Sequence, residues 1–204
     1  METLNLDDCI LLRVDNQGDL SGFICGDEDL DDFFANDAYL YSRQLLGKTY
    51  FFISPDDTPQ VIGAFTVAND SIKASLISAA TRNRIQRKIP NSKRTRSYPA
   101  VLIGRLGVST NMRGKNAGTE IINYIKAWFA DINNKSGCRY VVVDAYNKPN
   151  VLSFYEKNDF KYLYASEEEE KEKFGLAQNE HLNSRMMYFD LIGFAEYSVA
   201  NRDL

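Results

Sequence analysis

Histidine is almost missing from this chain: His181 is the only one in 204 residues, beside one tryptophan and three cysteines. With a single imidazole and no Cys-x-x-Cys pair, a zinc site would have to be built from scattered carboxylates, so no metal is expected. Cys25 and Cys138 lie far apart and Cys9 joins neither in a short pair. An odd set of thiols points to reduced cysteines and a cytoplasmic protein. The first ten residues, METLNLDDCI, hold neither the basic stretch nor the apolar stretch of a signal peptide. Apolar runs such as AVLIG and VVV are far too short to cross a bilayer, so no membrane association is expected. Two nucleotide signatures are also absent. There is no G-x-G-x-x-G of a dinucleotide fold and no G-x-x-x-x-G-K-[ST] of a P-loop.

What is present describes a globular protein. Hydrophobic residues make up 44% and charged residues 25%, a balance that builds a buried core and a solvated surface. The length suits one domain, and with no internal repeat or long linker we expect a single domain over residues 1–204. The net charge of −4 hides an asymmetry. Residues 82–96, RNRIQRKIPNSKRTR, carry seven basic residues and no acid, which leaves 17 basic against 28 acidic residues elsewhere. At 167–173, EEEEKEK is the opposite pole and reads as a solvated loop or helix face. The basic run is denser than a surface face requires, so an anionic partner is expected there.

Patterning gives a mixed order of elements. CILLRVD reads as a first strand. In DEDLDDFFANDAYLYSRQLLG, the residues Leu30, Phe33, Phe34, Ala38, Tyr41 and Leu45 form one helical stripe, with Asp27 to cap it and Gly47 to stop it. TYFFI and QVIGAFTVA flank the turn-forming SPDDTP as a β-hairpin. The basic segment is expected to be helical to Lys88 and broken at Pro90. YPAVLIGRLGVS is a longer strand whose glycines 104 and 107 hint at a bulge or a close backbone approach. From Thr119, residues Ile121, Ile122, Ile125, Trp128, Phe129 and Ile132 recur at helical spacing, with Gly137 past the end. RYVVVDAY is a buried strand, NKPNVLSFYEKND a short helix with Pro149 in its first turn, and FKYLYA and SRMMYFDLI are closing strands. Alternating helices and strands between terminal hairpins imply a mixed α/β sheet, not a doubly wound one.

The stretch with chemistry in it is RGKNAG, residues 113–118, between the long strand and the amphipathic helix. A helix start offers unpaired N–H groups and a partial positive charge, and glycines let a ligand approach the backbone. Arg113 and Lys115 add charge at the same place. Together these features describe a phosphate cradle. On spacing alone, an ordinary strand-to-helix turn accounts for the stretch equally well.

Two segments in order raise that reading. LGVSTNMRGKNAGTEII resembles the acyl-CoA motif of the GNAT family of N-acetyltransferases, in which Arg/Gln-x-x-Gly-x-Gly/Ala follows the central strand. DAYNKPNVLSFYEKNDF resembles the family's next strand and helix. The likeness runs from about residue 20 to 191 and is greatest to the branch containing aminoacyl-tRNA-acetylating toxins. There are two departures: Asn116 stands at the first motif glycine, and Asp159 at the glycine before Phe160. Asparagine tolerates positive φ, so the turn survives; the second change is expected to be mild.

The resemblance implies an α/β (α+β) fold with a central mixed, mostly antiparallel sheet, splayed at its central strand and flanked by helices. It implies acetyl-CoA as co-substrate, held by the backbone of Leu106, Gly107 and Val108 and by Arg113, Gly114, Lys115, Asn116, Ala117, Gly118 and Thr119. Tyr155, the tyrosine of FYEK, is implied as the general acid, protonated at neutral pH because a phenol ionises near ~10. No general base stands out among Asp144, Glu156 and Tyr146, and His181 reads as a surface residue. The acceptor is a primary amine of undetermined identity. The toxin-like version acetylates the α-amine of aminoacyl-tRNA, with Arg82, Arg84, Arg87, Lys88, Lys93, Arg94 and Arg96 against phosphates. A non-catalytic acyl-CoA-binding protein is the reading from another class. A homodimer is an expectation carried by the branch.

Overall fold

A computed structural model describes residues 5–87, 89–90 and 95–194. Among the described residues, seven strands follow the order β1-β2-β3-β4-β5-β7-β6, and the pairs β1–β2, β2–β3, β5–β7 and β6–β7 are antiparallel. They are β1 (Ile10–Arg13), β2 (Lys48–Ile53), β3 (Val61–Lys73), β4 (Ser97–Val108), β5 (Tyr140–Tyr146), β6 (Lys161–Tyr162) and β7 (Ser184–Asp190). The chain divides into two compact units. One comprises the residues up to Asn69 with Ile103–Trp128, the other Asp70–Leu102 with the residues from Phe129 onward. Among the described residues, no helix is long and apolar enough to cross a membrane. All three cysteines are free.

In the first unit the expected hairpin forms, with Phe51 opposite Ala64 and a register shift between Phe52 and Ile53. Asp27 caps α1 (Glu28–Asp32) by accepting from the Leu30 amide. The single stripe expected through Leu45 does not continue. A π-helical turn, Phe33–Asp37, intervenes before α2 (Ala38–Arg43). The extra residue in that turn brings both Phe33 and Phe34 inside, together with Ala38. The helix then stops at Arg43, and Leu45, with φ 60°, is 89% exposed. Gly47 is buried instead against the Tyr41 ring and the Val67 carbonyl, so it does not end the helix. Helix α4 (Ala117–Ala130) starts two residues before Thr119 and buries Ala117, Ile121, Ile122 and Ile125. Tyr124 and Trp128 meet Phe52 and Tyr50 edge to face. Ile132, expected on the same stripe, lies past the helix end and is 89% exposed.

The second unit is organised on β5, whose residues Tyr140 to Val143 are buried and pair with β7. Ile72, Ile77, Ile85, Tyr98, Leu163 and Tyr188 complete its core. Helix α3 (Ala79–Gln86) is capped by Ser78 and anchored by the Tyr140 hydroxyl, which donates to the Ile85 carbonyl. It ends at Gln86, before the expected Lys88, because Arg87 already takes an extended ψ of 118°. Lys88 itself lies outside the described residues. Helix α5 (Pro149–Lys157) has Pro149 at its first position and closes through Asn158 and Asp159, the latter at φ 63°. FKYLYA yields only the two residues of β6.

The acidic run is a helix, α6 (Glu167–Phe174), between Ser166 as N-cap and Gly175 at φ 70°. Its four glutamates at the N-terminus suit the helix dipole. It is not wholly a solvated face. Glu170 is 1% exposed, accepting from Arg185 Nε at 2.6 Å and the Met186 amide at 2.7 Å.

Candidate acyl-transfer site

The first unit carries the turn at the end of β4. A 3-10 turn, Thr110–Met112, leads into residues 113–116, where Gly114 takes φ 77° and Asn116 φ 64°. Asn116 therefore occupies the left-handed conformation of the glycine it stands for. Its side-chain amide donates to Glu120 at 3.1 Å, while its carbonyl accepts the Glu120 amide. Held along its own helix, that side chain is spoken for. A Cβ added to Gly114 would meet nothing within 4 Å, so this side of the turn is open. Lys115 is exposed, its ammonium 3.9 Å from the Met112 sulfur.

Arg113, expected to add charge at the turn, is exposed and also tied into the protein. Its guanidinium donates to the Cys25 carbonyl at 2.6 Å. The Thr110 amide donates to the Ile24 carbonyl, and Asp31 accepts from the Cys25 and Gly26 amides at 2.7 and 3.2 Å. Burial works against the Asp31 carboxylate, yet these hydrogen bonds and Arg113 hold it below its usual range. The result is a strap from α1 to the turn. Arg113 thereby braces the turn, whose amides and those of the first turn of α4 lack intrahelical partners. Gly26, at φ 82°, lets the strap close: a Cβ there would stand 2.7 Å from the guanidinium.

Upstream, the β4 backbone is approached closely at one of its two glycines. A Cβ on Gly107 would meet Phe34 at 3.1 Å and Cys25 at 3.2 Å. Gly104 has only a carbonyl at 3.9 Å, so the close approach belongs to Gly107. Leu106 and Val108 are half-buried. Burial, then hydrogen bonding to Asp31, pushes the Cys25 thiol up to about 11; burial does the same at Cys138 in the second unit. Neither supplies a thiolate at neutral pH, which argues against an acyl-cysteine route.

Tyr155 belongs to the second unit, on α5. It is buried, its ring 5.1 Å from that of Phe154 and 5.3 Å from that of Phe160. Burial pushes its phenol well above the ordinary value, so it keeps its proton at neutral pH. Asp144 is the exposed position of β5; desolvation, then repulsion from Asp70, raises its carboxyl. Glu156 is exposed, Tyr146 lies under the Lys148 ammonium at 5.0 Å, and His181 is exposed.

Arg84 donates to the Tyr162 carbonyl at 3.1 Å and lies over the Tyr188 ring, and Arg82 donates to the Ile77 carbonyl at 3.5 Å. Arg87 and Arg96 are exposed. Lys88, Lys93 and Arg94 lie outside the described residues. Sequence reasoning missed three features: the Asp31–Arg113 strap, the buried Glu170–Arg185 pair, and Arg105. A charged residue at an inward position of a strand, as at Arg185 and Arg105, was the available signal. Among the described residues no group of carboxylates, histidines and cysteines is arranged to hold a metal.

No family model matches the chain, and no curated protein matches it in sequence. Solved structures do. A tyrosine-to-phenylalanine mutant of KacT superposes with a TM-score of 0.68 at 18% identity, over 94% of this chain and 99% of that one. AtaT complexed with acetyl-methionyl-tRNAfMet gives 0.68 at 19% identity, over 94% and 99%. AtaTR bound with AcCoA gives 0.66 at 21% identity, over 95% and 99%. The chain thus has the fold of KacT and AtaT, the mixed and mostly antiparallel GNAT architecture that its two motifs implied.

Proposed function

We propose that this protein is an acetyl-CoA-dependent N-acetyltransferase whose acceptor is the α-amine of aminoacyl-tRNA, with residues 1–204 serving as one acetyltransferase domain. The observation that carries the reading is the turn before α4: two residues at positive φ, one open side and a helix start, in the fold of a protein solved with AcCoA. That donor set fits a pyrophosphate, since amides at a helix start and one exposed lysine suit a compact anion. Gly114 to Thr119 would hold it, with Leu106 and Val108 offering backbone groups to the pantetheine arm.

When bound, acetyl-CoA supplies an acyl group whose departure leaves a thiolate. An amide near Val108 polarises the acyl carbonyl as a single oxyanion donor. Tyr155 holds the proton that the departing sulfur takes. No strong base is required for this acceptor. A free α-amine ionises near ~7.7–8.0 and a lysine near ~10.4, and a neighbouring ester lowers the former further. The Asn116 side chain is held along the helix by Glu120, which counts against its blocking the phosphates and so against a non-catalytic acyl-CoA binder.

The test is transfer of labelled acetyl to bulk charged tRNA, with uncharged tRNA, free amino acids and peptide N-termini as controls. Label on charged tRNA alone is expected, with binding that weakens steeply between low and physiological salt. Label on small amines or peptides alone would refute the tRNA acceptor. A second prediction concerns the strap. Gly26→Ala strains a left-handed residue and displaces Arg113, so acetyl-CoA affinity should fall several-fold by calorimetric titration. Wild-type affinity in that variant would separate the strap from ligand binding.

A further inference from the structure

Arg105 stands on β4 with a guanidinium that the protein leaves partly unused. The residue is half-buried, and its Nε is buried without a hydrogen-bond partner. One terminal nitrogen donates to the carbonyl of its own neighbour, Gly104, at 2.8 Å. The guanidinium carbon lies 4.9 Å from the centre of the Phe33 ring. No carboxylate pairs with it among the described residues. A buried N–H of a charged group left unmatched is costly, so a retained one calls for an explanation.

The local structure explains how the charge is held. Strand alternation sets Arg105 on the same face as Gly107, and that face meets Phe34 and Cys25. The π-helical turn presents Phe33 beside Phe34, which gives the flat guanidinium a ring to lie on. The charge is therefore fixed in direction while its hydrogen-bonding edge is incomplete. Along β4 it lies on the far side of Leu106 to Val108 from the 113–118 turn. An anion bound there is at the acyl end of the proposed co-substrate path and not at its pyrophosphate.

We propose that Arg105 binds an oxyanion of the acceptor. On the acyltransferase reading above, on which this rests, that oxyanion is a backbone phosphate of charged tRNA or a carboxylate on a small amine. Both present the paired oxygens that a guanidinium edge recognises.

Arg105→Met keeps the stem over Phe33 and removes the charge. With charged tRNA its acceptor KM should rise about ten- to hundredfold, while acetyl-CoA affinity and melting temperature hold. Amino-acid methyl esters, which carry neither anion, should show a much smaller rise. A large rise only with carboxylate-bearing amines would assign the site to a carboxylate. Equal KM for every acceptor would overturn the proposal, and so would a parallel loss of acetyl-CoA affinity and thermal stability. A second measurement is independent of turnover: the Arg105 Nε–H resonance, identified by its loss in Arg105→Met, followed as uncharged tRNA or acetate is added. A shift with either ligand is expected, and no shift with both would overturn the site. If wild type acetylated no acceptor and the resonance still moved, the acyltransferase reading would fall while the anion site stood.

Discussion

Tyr155→Phe should lower turnover by about 10²–10⁴-fold while acetyl-CoA affinity stays close to wild type. The substitution removes one hydroxyl and keeps the ring, so the packing against Phe154 and Phe160 survives. On the proposed mechanism, what is lost is the proton donor to the departing sulfur. The pH dependence separates this role from a structural one. Because burial raises the phenol above its ordinary value, Tyr155 stays protonated across the range in which the acceptor amine loses its proton. The rate should climb as the amine deprotonates and then hold level to about pH 10. A fall on the alkaline side near neutral pH would point to a different acid. Turnover by Tyr155→Phe equal to wild type would remove the assignment.

The largest expected effect on stability lies away from the chemistry. Glu170→Ala should cost about 3–5 kcal/mol, because it strands Arg185, whose side chain is 10% exposed, and leaves the Met186 amide without its acceptor. The second glutamate, Glu167, is 3.8 Å from Arg185 and 40% exposed, and replaces little of the lost contact. Burial raises the Glu170 carboxyl despite the pull of Arg185, so desolvation outweighs pairing. A carboxyl raised on folding holds its proton to higher pH than the unfolded chain. Its contribution to stability is present at low pH and is lost as pH rises through the folded value. The pair is thus costly to break without being a large net source of stability. It follows that Glu170→Leu with Arg185→Met should recover most of the loss, since an apolar pair of similar volume needs no hydrogen bonds. Urea unfolding of the single and double variants checks this; a double variant as unstable as Glu170→Ala would contradict it.

Much of the architecture could be read from pattern alone because burial sets the period of apolar residues. The β-branched run of β5 and the stripe Ile121, Ile122, Ile125 of α4 each admit one placement. The helix from Asp27 could not be read fully. A π-helical turn adds a residue without changing composition, so a fixed 3.6-residue period carries Leu45 to the wrong face. The site divides in the same way. The backbone demands at Asn116 and Asp159 were foreseeable, since both positions need positive φ and carry residues that tolerate it. Side-chain partners 88 residues apart, as Arg113 and the Cys25 carbonyl are, leave no mark on local sequence. For that reason the hydrogen bond that ties Arg113 to the Cys25 carbonyl could not be read from the sequence. The acidic helix misled similarly: one glutamate among four faces inward, and composition alone does not say which.

The most direct test of the account is release of free CoA thiol from acetyl-CoA by the purified protein, measured with and without charged tRNA and beside Tyr155→Phe. The account predicts steady release that depends on charged tRNA and is nearly abolished in the variant. No release above background with charged tRNA, or equal release from wild type and Tyr155→Phe, would contradict it.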